Sequence, residues 1–319
     1  MLTYNKGMMS YDNFCAVADN IHDYSINSHV DICGYGEPLL NKDVYKMIFY
    51  LNKIKLSASL VTNWTTPDIR DNIDTLLSLK EIRITLDGLT NEVYNMSRPK
   101  SDVNHVINNI LEFLKCRESM GSNAGTKLKV RMNVFKFNEH QVPDLLKFCR
   151  DIGVDRVQIA RGHGPRSVTT KISPASFGQT DKEYLTFSGF ADENIIIPDH
   201  ILSDGDQESR ANNIFSRLKC PYPTIRWDGN LCPCCYDENG TIVLGNAVDD
   251  SISDIYSGEN ISAYENLLKY GAIKRIFTGK HIVCDKCKIY EKAANNNIIY
   301  RCIYKTILLY SAVRNIIVK

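Results

Sequence analysis

Cys220, Cys232, Cys234 and Cys235 fall within sixteen residues, and Cys284-Asp285-Lys286-Cys287 follows further along the chain. A C-x-x-C spacing lets two thiolates reach one metal centre from a single turn. Four soft thiolates suit either a zinc ion or an iron–sulfur cluster. The Asp228-Gly229 pair signals a hairpin that returns Cys220 towards Cys232–Cys235. Cys232, Cys234 and Cys235 compete for one ligand position, and spacing alone leaves zinc and cluster open. The chain has 11 cysteines, an odd number, and Met1–Lys6 carries no apolar signal core, so a disulfide framework is not expected. Cys15, Cys33, Cys116, Cys149 and Cys302 are dispersed and read as core thiols.

A second group of reactive residue types stands at predicted strand ends. Gly34-Tyr35-Gly36-Glu37-Pro38 follows one strand, Thr62-Asn63 closes the next, and Thr85-Leu86-Asp87-Gly88 closes a third. Arg98 precedes Pro99, and His163 sits between two glycines. Taken alone, G-x-G-E-P is compatible with a tight strand-to-helix turn carrying a solvated glutamate, Arg98 with a surface arginine, and His163 with a loop residue.

The elements that must position these residues alternate. Ser10 caps a predicted helix over 12–24 with Phe14, Val17, Ala18 and Ile21 on one face. Strands are predicted over 29–33, 56–62, 81–86, 128–135 and 154–159. Helices follow them: one opened by Asn41, one from Pro67, a long one from Asp102, and one over 142–150. Such βαβα alternation predicts parallel strands backed by helices. Five strands favour an incomplete barrel or open sheet over a closed eightfold barrel. Residues 161–218 are rich in Ser, Gly, Asp and Asn and read as a long loop that could cover a substrate. The expected organisation is therefore a partial barrel over 1–160, this loop, a cysteine module over 219–292 and a C-terminal helix over 293–319.

With 44% apolar and 24% charged residues the chain is an ordinary globular one, and a formal net charge of +1 gives no bulk reason to expect nucleic acid or a membrane as partner. The apolar tail from Ile298 is broken by Arg301, Lys305 and Arg314 and reads as an amphipathic helix. A cytoplasmic location is expected.

In order along the chain, Gly34–Leu40, Val61-Thr62-Asn63, Ile84–Gly88, Tyr94 and Arg98 resemble the motifs of radical SAM proteins, and Cys220…Gly229-x4-Cys234…Cys284-x2-Cys287 resembles the SPASM or twitch auxiliary-cluster module. The resemblance runs from Gly7 to Tyr290. It implies a partial (β/α)6 barrel of α/β class with its first strand missing from this chain, followed by the small cysteine-rich module. By position it implies that Gly36 and Glu37 hold the amino group of S-adenosylmethionine, that Thr62, Asn63, Thr85 and Asp87 line its ribose and methionine region, and that Arg98 pairs with its carboxylate. It also implies one auxiliary [4Fe–4S] cluster on Cys220, Cys234, Cys284 and Cys287, with Cys232 and Cys235 as alternates. The shorter, single-cluster form fits because no further cysteines of a two-cluster module follow Cys287.

Family chemistry is reductive cleavage of S-adenosylmethionine and hydrogen abstraction from a peptide or small molecule, with a flavodoxin or ferredoxin as electron donor. One departure matters: the C-x3-C-x2-C triplet that holds the second [4Fe–4S] cluster is found nowhere in the chain, so the chain as it stands is not expected to cleave S-adenosylmethionine. The alternative is a non-catalytic zinc- or cluster-binding module that recognises a partner.

Overall fold

Residues 127–134 read Lys-Leu-Lys-Val-Arg-Met-Asn-Val, and in the computed structural model Leu128, Val130, Met132 and Val134 are fully buried while the polar residues between them are not. The structure describes residues 7–34, 36–66, 69–121, 125–135, 137–161, 195–196, 223–233, 237, 240 and 242–264. The chain divides into two compact units, one of residues 25–203 and one of residues 3–24 with 204–319.

The larger unit is a parallel sheet. Its strands are β1 (His29–Ile32), β2 (Ser57–Thr62), β3 (Glu81–Thr85), β4 (Lys127–Val134), β5 (Arg156–Arg161) and β6 (Ile195–Ile196), hydrogen-bonded in chain order. Helices stand between them: α2 (Val44–Lys53) after β1, short α3 (Ile73–Leu76) after β2, α4 (Asn91–Ser97) and α5 (Val103–Ser119) after β3, and α6 (Val142–Asp151) after β4. Side chains alternate across a strand, so the register sorts them into two faces. Leu60, Ile82, Ile84, Val130, Met132 and Ile159 form a dry face with Ile48, Leu51, Ile110, Phe113 and Leu145 of the helices. Each such side chain contributes about 1.5–3 kcal/mol on leaving water. The other face carries His29, Asp31, Glu81, Arg83, Lys129, Arg131 and Gln158.

A parallel sheet covered by helices on both sides is apolar throughout its strands. One polar face instead marks the inner wall of a partial barrel, as the sequence implies. β6 is the strand the sequence reading missed: it lies inside the stretch read as loop. Helix ends follow the expected chemistry. The Thr90 hydroxyl accepts from the Val93 amide at 3.5 Å, and the Asp102 carboxylate from the Asn104 amide at 3.0 Å.

The smaller unit joins distant parts of the chain. Its first helix, α1 (Tyr11–Tyr24), is capped as predicted, with the Asn13 amide donating to Ser10 Oγ at 3.2 Å. Asp228-Gly229 makes the expected hairpin between β7 (Thr224–Ile225) and β8 (Asn230–Cys232), and β9 (Gly245–Asn246) pairs with β8. Gly229 has φ +83°, which a glycine adopts without strain. Val17 of α1 packs in one cluster with Leu231, Leu244, Ala247, Ile252 and Ile255, the last two on α7 (Ile252–Ser257). Asn20 donates to the carbonyls of Ala247 at 3.1 Å and Asp250 at 2.8 Å. Thus the apolar stripe that the sequence shows on α1 finds its partner in the cysteine-bearing unit. Gly7 lies flat on Trp227: a Cβ there would sit 2.2 Å from the indole. Most of 161–218, about half of 219–292 and all of 293–319 lie outside the described residues.

Candidate functional site

Glu37 follows β1 and caps the 3-10 turn Pro38–Leu40, accepting from the Leu39 amide at 3.0 Å. The same oxygen takes the Thr62 hydroxyl at 2.6 Å, and the second takes the Asn63 amide at 2.7 Å. The glutamate is therefore part-buried and tied to the end of β2, not solvated as the motif alone would allow. Three donors leave room for one more, since a carboxylate offers about four acceptor positions. Gly36 beside it opens onto space: a Cβ built there meets nothing within 4 Å. An ammonium-bearing ligand fits this arrangement, with Glu37 as a charge-assisted acceptor.

The turn after β2 is held locally. Thr62 Oγ1 accepts from the Trp64 amide at 2.9 Å, while Asn63 Oδ1 accepts from the amide and the hydroxyl of Thr65 at 3.0 and 2.7 Å. Trp64 takes φ +61° with its ring fully buried, a strained backbone for a bulky residue and placed beside the Glu37 carboxylate. Thr85 ends β3 on the polar face, paired with Arg131 of β4.

Asp87, just beyond β3, is the second centre. Its Oδ2 accepts from Arg98 Nη1 at 2.8 Å, and its Oδ1 from the Asn133 amide and Asn133 Nδ2 at 2.8 and 3.2 Å. Arg98 lies over the Tyr94 ring, 5.7 Å from its centroid. One of its five N–H donors is used by Asp87, which leaves donors for a carboxylate. Tyr94 is fully buried, and its hydroxyl has no hydrogen-bond partner among the described residues. Burial pushes its phenol up to about 12; Arg98 opposes that rise, and Asp87 and Glu37 add to it. The ends of β2 and β3 are neighbours in the sheet, with Thr62 paired to Ile84, so the two centres share one rim.

Sequence reasoning missed what braces this centre. Asn138, fully buried, donates to the carbonyls of Asp87 at 2.8 Å and Asn133 at 2.9 Å, and accepts from the Phe135 amide at 2.6 Å. Gln141 accepts from the Leu89 amide at 2.8 Å. Gly88 has no spare volume: a Cβ would come within 2.9 Å of Val93 and 3.0 Å of the Tyr94 amide. The available signal was Asn133, a polar residue closing an alternating strand, with Asn138 in the turn behind it.

Of the six candidate ligand thiols, only Cys232 is described. It ends β8 opposite Thr224 and is 1% exposed, on the strand face opposite Leu231 and the Val17 cluster. Cys220, Cys234, Cys235, Cys284 and Cys287 lie outside the described residues, as do Cys302 and His163. Among the dispersed thiols Cys149 is buried and held up to about 12 by that burial, whereas Cys15 and Cys116 are half-buried. Cys33 departs from the expectation of a core thiol. It is exposed, because it continues the polar side of β1 beyond Asp31. No helix among the described residues is long and apolar enough to cross a membrane.

Residues 220–288 match the family model of SPASM, an iron–sulfur cluster-binding domain. The "Probable GTP 3',8-cyclase" of Methanocaldococcus jannaschii is 25% identical over 250 residues, covering 72% of this chain and 74% of that protein. Among solved structures, SuiB of Streptococcus suis bound to the precursor peptide SuiA aligns with a TM-score of 0.63 at 16% identity, over 81% of this chain. The chain spans 60% of the length of SuiB in that alignment. Native anSMEcpe with bound AdoMet aligns with a TM-score of 0.61 at 16% identity, over 99% of this chain and 92% of that one.

Proposed function

We propose that this chain, a radical SAM/SPASM protein by its fold and its cysteine-bearing domain, binds S-adenosylmethionine at the C-terminal rim of its parallel sheet and directs hydrogen abstraction at a peptide substrate. The observation that carries this reading is the knot of Glu37, Thr62 and Asn63 at one strand end, in the same locality as Asp87, Arg98 and Tyr94 at the next. Strand C-terminal ends are where barrel enzymes build their sites. The peptide is favoured over a small molecule because solved structures with this fold hold peptides, SuiA in SuiB among them.

In this reading Glu37 accepts from the ligand's ammonium, and Gly36 leaves space for it. Arg98, steered by Asp87, offers its remaining N–H groups to the carboxylate. Thr62 and Asn63 fix the glutamate, and Thr85 lines the rim. When bound and reduced by one electron, S-adenosylmethionine supplies the radical that takes hydrogen from substrate. A flavodoxin or ferredoxin is the class of donor that would deliver that electron. The [4Fe–4S] cluster this requires is held by a C-x3-C-x2-C triplet that these 319 residues do not contain, so the reading needs those thiolates from outside them. Cys220, Cys234, Cys284 and Cys287, with Cys232 and Cys235 as alternates, hold one auxiliary [4Fe–4S] cluster. A cytoplasmic, reducing setting suits these thiolates.

Anaerobic reconstitution with iron and sulfide tests this reading. Roughly four irons per chain, matched by sulfide and lost in a Cys284→Ala/Cys287→Ala variant, are expected for one such cluster. Equilibrium dialysis should show S-adenosylmethionine binding that weakens in Glu37→Gln. Stoichiometric zinc without sulfide, together with no S-adenosylmethionine binding, would replace this reading by a structural zinc module.

A further inference from the structure

Among the described residues the polar face of the sheet carries more positive than negative charge, and its surplus is gathered on one side. Asp31 and Glu81 are its carboxylates from β1 and β3. Both are taken by Arg83: Glu81 Oε1 accepts from Arg83 Nε at 2.7 Å, and Asp31 accepts from Arg83 Nη2. Across the next two strands stand Lys129, Arg131 and Arg156. Lys129 lies opposite Arg83 on β3 and opposite Arg156 on β5, while Arg131 follows two residues along β4. Directly opposed side chains in neighbouring strands are about 5 Å apart, and two residues along a strand about 6.6 Å. Like charges placed so are destabilising. Neither Lys129 nor Arg156 has a carboxylate within ion-pair distance among the described residues. Burial, together with Arg83, Arg131 and Arg156, holds the Lys129 ammonium below its usual range, with Glu81 opposing.

This side of the face leads to the candidate site. Arg131 Nε donates to Asn133 Oδ1 at 3.1 Å, and Asn133 Nδ2 donates to Asp87 Oδ1 at 3.2 Å. A ligand seated on Lys129 and Arg156 would thus reach along the same wall to the rim.

We propose that Lys129 and Arg156, with Arg131 next to them, form a subsite for an acidic peptide, recognising carboxylate side chains of the substrate segment presented to the rim. The inference rests on the peptide-directed reading above and sharpens its substrate class. The cations are spread over two strands instead of converging on one point, which matches separate carboxylates. Charge complementarity of this kind acts mostly on specificity and rate of encounter.

Fluorescence anisotropy on the full chain with its cluster reconstituted tests the subsite. Two fluorescein-labelled dodecapeptides serve as probes, one alternating Gly and Glu, the other Gly and Gln. At low ionic strength the acidic peptide should bind about tenfold more tightly than its amide counterpart. Lys129→Gln and Arg156→Gln should each remove most of that difference, and Lys46→Gln, an exposed lysine on α2, should leave it unchanged. Far-ultraviolet circular dichroism checks that each variant keeps its fold. Equal binding of the two peptides, an effect of Lys46→Gln as large as that of Lys129→Gln, or competition by inorganic triphosphate far stronger than by unlabelled acidic peptide would each overturn the proposal. The anisotropy does not depend on S-adenosylmethionine. A chain that binds acidic peptide but not S-adenosylmethionine would reject the proposed function and keep the subsite; the reverse result would do the opposite.

Discussion

Arg98 Nη1 lies 2.8 Å from Asp87 Oδ2, and Asp87 is 3% exposed while Arg98 is 21% exposed. A carboxylate withdrawn from water to this degree needs its countercharge. Arg98→Met is expected to destabilise the protein by about 3 kcal/mol, because it strands a buried charge. Arg98→Met with Asp87→Asn should recover part of that loss, since the amide is neutral and can still accept from Asn133. Chemical denaturation of both variants checks this. A double variant less stable than the single one would refute the pairing.

Glu37 is surrounded by donors, so its amide counterpart faces a conflict. In Glu37→Gln one oxygen can still accept from Leu39 and Thr62, but the NH2 group meets the Asn63 amide. A buried donor left without an acceptor costs about 1–3 kcal/mol. Thr62→Ser keeps the hydroxyl that donates to Glu37 and accepts from the Trp64 amide, loses only a methyl group, and should cost about 1 kcal/mol. Denaturation midpoints should therefore fall further for the isosteric change at Glu37 than for the change at Thr62.

Asn138 satisfies three backbone groups with one side chain. Asn138→Ala leaves two carbonyls and an amide without it, and a loss of about 3 kcal/mol is expected from buried groups of this kind. Hydrogen exchange should show the Phe135 amide losing protection. Retained protection at that amide would count against the strut.

Tyr94 shows the opposite economy, with a buried hydroxyl that has no hydrogen-bond partner among the described residues. Tyr94→Phe should be neutral or stabilising by up to about 1 kcal/mol in the ligand-free protein. The pH dependence follows from the raised phenol. A group whose pKa lies higher in the folded state, about 12 here against an ordinary 10, adds stability that is whole below the ordinary value and is lost as pH climbs through the folded one. Above pH about 10 the wild type should thus lose stability faster than Tyr94→Phe. In an ultraviolet titration of the native state, the variant should lack one phenolate's absorbance in the step near pH 12.

Gly7 touches the Trp227 ring, and Gly7→Val should force the two apart. A red shift of Trp227 emission and a loss of about 1–3 kcal/mol are expected from overpacking. Trp64 is the other tryptophan of the two in the chain, so the shift is best read in a Trp64→Phe background. Unchanged emission would place the indole elsewhere.

Much of the larger unit was legible because β-strand and helix periods are distinct in the chain. Residues 127–134 alternate strictly, and Asp102 and Ser10 cap where capping chemistry says they should. β6 was not legible. Two isoleucines carry no measurable period, and their surroundings have the composition of a loop. The stripe on α1 announced a buried face, but a stripe does not say which surface buries it. At the candidate site, Glu37, Thr62, Asn63, Asp87 and Arg98 were singled out by the resemblance of their segments to radical SAM motifs. Asn138 bonds locally to Phe135 and Asn133, but its bond to Asp87 spans 51 positions and that of Gln141 to Leu89 spans 52, so the bracing role itself carries no local signature. The brace that fixes Asp87 was therefore invisible until the turn after β4 was in place.

Val17 shares one apolar cluster with Leu231 through Tyr264, and Asn20 binds a carbonyl 227 positions away. On the ribosome, the sheet unit can emerge whole while α1 still has no surface to lie on. While the intervening residues are added, the helix travels as an unsheltered amphipathic segment. The segment that carries Leu231 and Ile255 gives it shelter once it has been made. Chain growth thus imposes an order of assembly in which α1 docks long after its own synthesis.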